Sequence, residues 1–468
     1  MRALPIAAAV LGIVGVPLLM GACGGDDGKE TPAPRIPRAS YFVENAALRD
    51  PTGRTLVMRG VNLAGAHKYK PYLSSFLPAD YARLQTDWGF NAIRFLVTWA
   101  GLEPTRGVYD EVYLGEIEKR IGWARDAGLL VVVDMHQDLF GEGFAGGDGA
   151  PRWTCDDARY AAYKQPEQFF FGYLDPNVQA CFDALWTNNE LRGHLVEAWR
   201  RLAERLAKYE NVIGFDPLNE PFWGTYPIGQ FEADRLAPFY AETTRAIRSV
   251  APNWLVFAEP SSSRNLGVAS TLPKLPLDGV VYSPHVYDPT AESGLGFDPS
   301  HRESILFKVA DMKAEADLVG APLWIGEYGG QADKPGIAEY MTADYDAAGA
   351  AAASTMYWAY DKDEGYALLG KDGAEKKALA DALTRPYPER TAGKLLSYAF
   401  AADTAVATIR WERDESIVTP TEIVVPLRLY PRGVLVECGG CTVEEVPGLV
   451  RLRTSPPGDP ITVTLHGR

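Results

Sequence analysis

The feature that most constrains this chain is an alternation of short apolar runs with longer amphipathic segments, from about residue 55 to residue 386. The apolar runs predict strands at 56–64, 91–99, 129–136, 212–220, 253–259, 280–287, 322–329 and 354–360. Helical periodicity lies between most of these runs, at 110–126, 190–209, 230–249, 301–318 and 335–350. Eight strands that alternate with helices predict an α/β fold, the (β/α)8 TIM barrel.

A doubly wound open sheet shares this alternation of strands and helices. Its dinucleotide-binding form requires a glycine-rich phosphate turn after the first strand. The chain has "NLAGAH" (62–67) at that place, which does not supply such a turn. The barrel is therefore the favoured fold.

The pattern changes after about residue 386. The C-terminal segment contains short alternating runs rich in valine and threonine, such as "TEIVVPLRLY" (421–430), without helical periodicity beyond Lys394. Such runs predict antiparallel strands. We therefore predict a barrel at 40–386 and a small C-terminal antiparallel β-sandwich at 387–468, a packing or surface-docking module without an evident catalytic group.

The charge balance limits the class of partner. The chain has 468 residues, with 46 basic and 61 acidic side chains and a net charge of −15. A strongly acidic chain is repelled by phosphate backbones. Nucleic acid is therefore not an expected partner.

The N-terminus predicts export. Arg2 precedes an apolar run from Ala3 to Met20, and small residues follow it, which is typical of a signal peptide at 1–22. The segment "MGAC" resembles a bacterial lipoprotein signal in which Cys23 is lipidated, and 23–39 would then be a flexible tether. We expect an exported protein, lipid-anchored to the bacterial cell envelope and its membrane surface, or secreted; an uncleaved membrane anchor is the alternative.

The other four cysteines fit an exported protein. Cys155 with Cys181, and Cys438 with Cys441, are the natural disulfide pairs in an oxidising compartment. The Cys-Gly-Gly-Cys spacing of the second pair is also compatible with redox or zinc chemistry. A structural disulfide is favoured, because the segment lies in a strand-rich region without a second such pair.

Polar or aromatic side chains stand at the end of most predicted barrel strands. These residues are Asn62, Arg94, His136, Asn219, Glu220, His285, Tyr287, Glu327 and Trp358. In a barrel, the carboxyl ends of all strands surround one opening, where the active site lies. The sequence therefore predicts that these side chains form one site.

Two glutamates in this set indicate the chemistry. Glu220 lies in "PLNEPF" and Glu327 in "WIGEYGG", at the ends of different predicted strands. Glycoside hydrolysis uses one protonated and one ionised carboxyl group, and a separation of about 5 Å gives retention of configuration. We expect Arg94 to keep one carboxylate ionised, while burial and the neighbouring negative charge raise the pKa of the other.

The segments "NAIRFLVTW" (91–99), "FDPLNEPF" (215–222), "SPHVY" (283–287) and "WIGEYGG" (324–330) resemble glycoside hydrolase family five, the cellulase-like retaining enzymes. The resemblance covers about 40–385 and implies that Glu220 is the acid/base and Glu327 the nucleophile. It further implies that Asn219 binds the sugar 2-hydroxyl, that Arg94 supports the nucleophile, that His285 and Tyr287 line the cleavage subsite, and that Trp358 stacks on the sugar.

Within that family, "DMHQDLFGEGF" (134–144), "APRW" (150–153) and the strand-rich tail resemble endoglycoceramidases. These enzymes release the intact glycan of glycosphingolipids by cutting the glucose–ceramide bond. The resemblance implies that His136 and Asp138 bind the sugar beside the cut, that Lys68 contacts the sugar, and that Trp186 stacks on it. The resulting hypothesis is a glycosphingolipid hydrolase without a cofactor.

Several alternatives remain open from the sequence. An endo-β-glucanase, a mannanase or a glucosylceramide- or galactosylceramide-cleaving relative would share the same carboxylates. A non-catalytic carbohydrate-binding lipoprotein would lack one of them. A metallohydrolase would use Asp134, His136, Asp138 and His285, but no second histidine lies at close spacing, so we expect no metal.

Overall fold

The computed structural model describes residues 34–454 and 460–468. The predicted signal peptide at 1–22, Cys23 and the predicted tether as far as residue 33 lie outside the described residues. No helix among the described residues is long and apolar enough to cross a membrane.

Eight parallel strands form the central barrel, which confirms the predicted fold. Their bounds are Arg59–Leu63, Ala92–Thr98, Leu130–His136, Val212–Asp216, Leu255–Ala258, Val280–Tyr282 with His285–Val286, Trp324–Tyr328 and Ser354–Tyr360. The sixth strand is interrupted at Ser283–Pro284, because proline has no N–H to donate to a neighbouring strand. Its two halves stand at opposite ends of the strand order, and the sheet thereby closes.

Helices cover the outside of the barrel after most strands. Those that follow a strand and pack around it are Pro78–Trp88, Glu111–Asp126, Asn189–Leu206, Ala237–Arg248, Arg302–Val319, Ile337–Ala350 and Lys377–Leu383. The third of these begins where the Asn188 side chain accepts hydrogen bonds from two backbone N–H groups. The fully described connection 259–279 between the fifth and sixth strands contains only the 3-10 turn Ser262–Arg264, so no α-helix covers the barrel there.

The connection after the third strand is long and largely ordered by short helices. It contains Arg152–Thr154, Asp157–Ala162, Phe169–Leu174 and Pro176–Thr187. A disulfide joins Cys155 to Cys181, with their Cα atoms 5.7 Å apart. The disulfide thereby closes a loop within the connection itself.

The C-terminal segment forms two antiparallel sheets that share one hydrophobic core. One sheet contains Gly393–Ala401, Val406–Arg413, Ile461–Gly467 and Val434–Glu437; the other contains Tyr387–Thr391, Thr421–Val424, Leu449–Thr454 and Cys441–Val446. Trp411 of the first sheet is fully buried. The second disulfide joins Cys438 to Cys441.

Three N-terminal strands complete the second of these sheets. They are Phe42–Glu44, Ala47–Arg49 and Thr55–Leu56, and the last pairs antiparallel with Tyr387–Thr391. We had assigned these residues to the barrel. Strand pairing across more than 300 residues leaves no local signal in a sequence, and this contact was therefore missed.

Small additional helices and turns complete the described structure. They are Gly65–Lys68, Trp99–Leu102, Ile228–Phe231, Glu232–Leu236, Pro289–Glu292 and Pro299–His301. All six lie in connections that follow the carboxyl ends of barrel strands. Side chains from these connections surround the opening of the barrel.

Candidate active site

The two predicted carboxylates face each other across the barrel opening. Glu327 belongs to the seventh strand, and Glu220 follows the fourth, with a positive backbone φ of 42°. A carboxylate oxygen of each lies within 4.8 Å of the other. This separation is close to that of retaining glycosidases, about 5 Å, in which a carboxylate rather than a water molecule makes the first attack on the sugar.

Glu327 is buried and held on both oxygens. Arg94 Nη1 donates to Oε1 at 2.7 Å, and the Tyr287 hydroxyl donates to Oε2 at 2.8 Å. Burial raises the pKa of Glu327, while His285 and Arg94 act in the opposite direction. Burial therefore outweighs Arg94 here, and the pKa of Glu327 shifts upward, which differs from our expectation for the carboxylate beside the arginine.

Glu220 is partly exposed to the cleft and is oriented by two donors. Asn265 Nδ2 lies 2.8 Å, and His285 Nδ1 2.9 Å, from Oε1. The other oxygen of Glu220 is left for a substrate atom. The pKa of His285 lies well above its usual value, because the surrounding carboxylates, Glu259 and Glu327 foremost, outweigh the effect of burial.

Arg94 is the centre of a buried ionic cluster. It is 0% exposed, and its guanidinium contacts four carboxylates, those of Asp134, Asp216, Glu259 and Glu327. These partners raise its pKa further against the effect of burial. The contact with Glu327 agrees with the predicted support of the nucleophile by Arg94, and the equally buried His285 contacts both facing carboxylates.

Asn219 has one amide hydrogen left for a ligand. Its Oδ1 accepts from Arg94 Nη2 at 2.9 Å, and its Nδ2 donates to the Gln137 carbonyl at 3.1 Å. An amide nitrogen carries two hydrogens. The second one fits the predicted bond to a sugar hydroxyl.

A second polar group lies on the side of the first, third and eighth strands. The Lys68 ammonium pairs with Asp138 Oδ2 and lies 4.5 Å from the centre of the Trp358 ring. His136 stacks on the same ring, with centroids 5.3 Å apart, and its Nδ1 bonds to Asp134 at 2.8 Å. The structure therefore brings four predicted sugar-binding residues together.

The pKa values of Asp138 and His136 in this group both lie below their usual values. Burial acts to raise the pKa of Asp138, but the Lys68 ammonium outweighs it, so the pKa lies below its usual value. Burial, assisted by Lys68, lowers the pKa of His136 to about 3. The imidazole is therefore neutral, and its buried Nε2 has no hydrogen bond within the described residues and lies 3.7 Å from Asp138 Oδ2.

Trp186 is a correction to the sequence prediction. Its ring is 4% exposed and packs edge-on against Phe231 and Phe239, and its Nε1 donates to the Phe222 carbonyl at 2.8 Å. A ring that is 4% exposed offers no free face to a sugar. Trp186 lies on the helix Pro176–Thr187 and is part of the hydrophobic core against which this helix packs.

The sequence analysis missed several residues of the site, among them Asn265 beside Glu220. Glu259 and Asp216 contact Arg94, while Asp148 and Tyr173 contact Asp138. The strand-end rule that selected Glu327 would also have found Glu259, which directly follows the fifth strand. Asp148 and Tyr173 come from the long third connection, where no periodicity indicates a position.

The residues of the metallohydrolase alternative do not converge. His136 groups with Asp138 and Asp148, whereas His285 groups with Glu220 and Glu327. The Lys68 ammonium already supplies a positive charge to Asp138. A second cation beside it would be repelled.

Family models match most of the chain. Residues 50–364 match the model described as cellulase (glycosyl hydrolase family 5), and 385–465 match the glycoside hydrolase family 5 C-terminal domain.
The chain belongs to glycoside hydrolase family 5.
Membership of this family identifies the protein as a glycosidase.

Several members of family 5 are similar over nearly the whole length. Endoglycoceramidase I of Rhodococcus hoagii (strain 103S) is 28% identical over 92% of this chain and 89% of its own. The structure of endo-glycoceramidase II from Rhodococcus sp. is 32% identical with a TM-score of 0.81, covering 90% of this chain and 99% of that one. That Rhodococcus protein has also been solved as a ganglioside GM3 complex and as a lactosyl–enzyme intermediate.

An endogalactoceramidase structure is similar as well. It is 25% identical with a TM-score of 0.74, and the alignment covers 92% of this chain and 100% of that one. The family 5 fold seen here thus occurs in glycosidases whose names refer to different sugars attached to ceramide.

Proposed function

We propose that this protein hydrolyses the β-glycosidic bond between the glycan and the ceramide of glycosphingolipids, with retention of configuration. The observation that carries the proposal is the pair of facing carboxylates, within 4.8 Å, beside the Lys68–Asp138–His136 group. The endoglycoceramidase relatives, similar over nearly the whole chain, support the choice of substrate.

In the first step, a Glu327 oxygen attacks the anomeric carbon of the glucose unit. The bond from this carbon to the ceramide oxygen breaks, while Glu220 transfers its proton to that oxygen. The products are the ceramide alcohol and a glycosyl ester on Glu327. Tyr287 and Arg94, which hold the two Glu327 oxygens, fix the direction of attack.

In the second step, Glu220 acts as a base. It takes a proton from a water molecule, whose oxygen attacks the anomeric carbon and releases Glu327 as a carboxylate. The oligosaccharide leaves with its original configuration, and Glu220 regains its proton. His285 and Asn265 both contact Glu220 Oε1 and thereby direct its other oxygen toward the reacting atoms.

We assign the glucose unit to the side of Lys68, Asp138, His136 and Trp358. Charged and neutral hydrogen-bonding groups lie there around an aromatic face, and such surfaces suit a sugar ring. Asn219 supplies the remaining amide hydrogen toward the 2-hydroxyl. In this assignment the ceramide leaves on the side of Glu220.

The surface on the Glu220 side fits a lipid. Leu266 and Val268 follow Asn265, the residue that contacts Glu220, and Leu295 lies near Glu292, whose pKa Glu220 helps to raise. Exposed large apolar side chains occur throughout the connections at the carboxyl end of the barrel: Tyr69, Leu77, Val108, Phe169, Phe171, Leu174, Leu266, Val268 and Leu295. Apolar surface around an active site favours contact with a membrane or an apolar aglycone.

We further propose that the protein is exported and attached to the cell envelope through a lipid on Cys23. The composition of residues 1–23 supports this proposal, and the disulfides of the described chain are compatible with it. The test is mass spectrometry of the N-terminal peptide from envelope fractions. A diacylglyceryl group on Cys23 is the expected result, and an intact residue 1 with unmodified Cys23 would refute the proposal.

The substrate is tested by product analysis. The protein is incubated with lactosylceramide, glucosylceramide, galactosylceramide and a soluble β-glucan, and oligosaccharide and ceramide are measured by mass spectrometry. We expect lactose and ceramide from lactosylceramide, and none with Glu220→Gln or Glu327→Gln. Release of glucan fragments alone would favour an endo-glucanase, and cleavage of glucosylceramide alone would favour a glucosylceramidase.

The lipid-facing role of the barrel opening is tested with matched leucines. Leu295 at the opening is 74% exposed, and Leu318, near the end of helix Arg302–Val319 at the other end of the barrel, is 84% exposed. Leu295→Ser should lower the rate on lactosylceramide in phosphatidylcholine vesicles but not on a soluble aryl lactoside. Equal rates for Leu295→Ser and Leu318→Ser on vesicles would contradict the assignment.

A further inference from the structure

Glu259 lies directly after the fifth barrel strand, Leu255–Ala258, and is 2% exposed. It is too deeply buried to touch a substrate. One of its oxygens accepts from the backbone N–H of Glu220, and the other contacts Arg94 and His285, which in turn contact the facing carboxylates. We propose that Glu259 is a positioning residue that sets the orientation of both Glu220 and Glu327.

The first contact acts on the backbone of Glu220. Glu259 Oε2 accepts a hydrogen bond from the Glu220 N–H at 2.9 Å. Glu220 has a φ of 42°, in the left-handed region that a residue with a side chain adopts only when its surroundings impose it. On the other side of the same residue, Gln137 Nε2 donates to the Glu220 carbonyl at 3.2 Å. The two hydrogen bonds hold the backbone of Glu220 at its N–H and at its carbonyl.

The second contact acts on the side chain of Glu220 through His285. Glu259 Oε1 lies 3.2 Å from His285 Nε2, while Nδ1 of the same ring lies 2.9 Å from Glu220 Oε1. The approach of Glu259 to Nε2 is a charge contact rather than a hydrogen bond, and among the carboxylates around the ring Glu259 contributes most to raising the pKa of His285. Glu259 thereby fixes both the position and the protonation of the ring that orients Glu220.

The third contact reaches Glu327 through Arg94. Glu259 Oε1 accepts from Arg94 Nη2 at 2.9 Å, and Nη1 of the same guanidinium donates to Glu327 Oε1 at 2.7 Å. The guanidinium is planar, so fixing one nitrogen fixes the direction of the other. Asp134 and Asp216 also contact Arg94, but neither of them has a hydrogen bond to Glu220.

The chemistry of the three partners requires a carboxylate at this position. The Glu220 N–H donates to one oxygen of Glu259 and Arg94 donates to the other, which also lies 3.2 Å from the His285 ring. A glutamine has only one acceptor oxygen, so its NH2 group would face at least one of these donors. Glu259→Gln therefore breaks the arrangement without a change of volume.

The test compares Glu259→Gln with Glu103→Gln. Glu103 is also fully buried, and it accepts from the Gly107 N–H, from Trp99 Nε1 and from a histidine Nδ1, that of His194. It touches neither facing carboxylate. Both variants face the same loss of a buried acceptor, so they separate a positioning role from a general effect on folding.

The assay uses a 2,4-dinitrophenyl lactoside, whose leaving group needs no proton, with and without azide. For Glu259→Gln we expect kcat about 100-fold below native with KM within threefold, because a misplacement of about 1 Å costs that much. Azide should not restore the rate, since Glu327 is misplaced as well; in Glu220→Gln, azide should restore it. Glu103→Gln should keep the native kcat.

A second variant keeps the proposal testable if Glu259→Gln folds poorly. Glu259→Asp keeps the charge but is one methylene too short for all three partners, and we expect its kcat to fall about tenfold. Native kcat per folded molecule in either variant would overturn the proposal, as would failure of both to fold while Glu103→Gln folds. The proposal rests on the proposed retaining mechanism but not on ceramide: native cleavage of the aryl lactoside without cleavage of lactosylceramide would refute only the substrate.

Discussion

Replacement of Lys68 by methionine should separate sugar binding from the chemistry of the two carboxylates. Methionine keeps the length of the side chain against Trp358 but removes the ammonium that pairs with Asp138. A hydrogen bond to a charged group contributes about 1.5–3 kcal/mol, and each 1.4 kcal/mol is a factor of ten in kcat/KM. The loss of one such bond to a sugar hydroxyl predicts a decrease in kcat/KM of about 10- to 150-fold on an aryl lactoside.

The variant should also change the pH dependence. Without the ammonium, nothing equivalent opposes the burial of Asp138, so the pKa of Asp138 rises, and its carboxylate is lost as the pH falls through that higher value. The acid side of the kcat/KM profile should therefore move to higher pH.

Lys70 is the matched control for Lys68. It lies two residues away and also pairs with a carboxylate, that of Glu142 at 3.0 Å, but it is 72% exposed. An exposed ion pair contributes about 0–1 kcal/mol, so Lys70→Met should lower kcat/KM by less than about fivefold. A Lys68→Met enzyme within threefold of native, or equal losses in the two variants, would refute the assignment of this group to the sugar.

Three further predictions follow from the described contacts. Burial raises the pKa of Glu327, and the nucleophile must be ionised, so kcat/KM of the native enzyme should fall on the acid side at a pH above the ordinary glutamate value of about 4.3; a pH–rate profile with its acid limb below pH 4 would contradict this. Loss of the Cys155–Cys181 disulfide, which closes a loop of 26 residues, should lower the free energy of unfolding by about 3.5 kcal/mol in urea titrations of Cys155→Ser/Cys181→Ser, and an unchanged midpoint would count against it. Trp186→Phe leaves the Phe222 carbonyl without its donor and should cost about 1–3 kcal/mol of stability with unchanged KM; a raised KM at native stability would restore the stacking role that the structure contradicts.

The sequence predicted the barrel because its strands are buried on both faces and separated by amphipathic helices. Strand-end polarity also identified Glu220, Glu327, Asn219 and His136, since the topology carries every strand end to one opening. The sequence pattern could not show whether a polar side chain points into the cleft or lies behind it. Trp186 was therefore misplaced, because its depth depends on neighbours from a later part of the chain.

Other features had no local signal at all. Asp148 reaches Asp138 through a backbone bridge within an irregular connection, and no periodicity reveals such a contact. The direction in which the pKa of Glu327 shifts could not be predicted from the sequence either. It depends on the balance between complete burial and the distances to Arg94 and His285, which only the folded structure supplies.

The pairing of the N-terminal strands with the C-terminal sheet has a consequence for synthesis. Leu56 pairs with Arg390, and Arg49 donates to the Gly393 carbonyl, so strand Thr55–Leu56 finds its C-terminal partner only after the whole barrel has been translated. Domains are usually completed in chain order, whereas here a strand before the barrel waits for one after it. Truncation at residue 386 would leave the three N-terminal strands paired only with one another, and the outer edge of Thr55–Leu56 would be exposed beside the barrel.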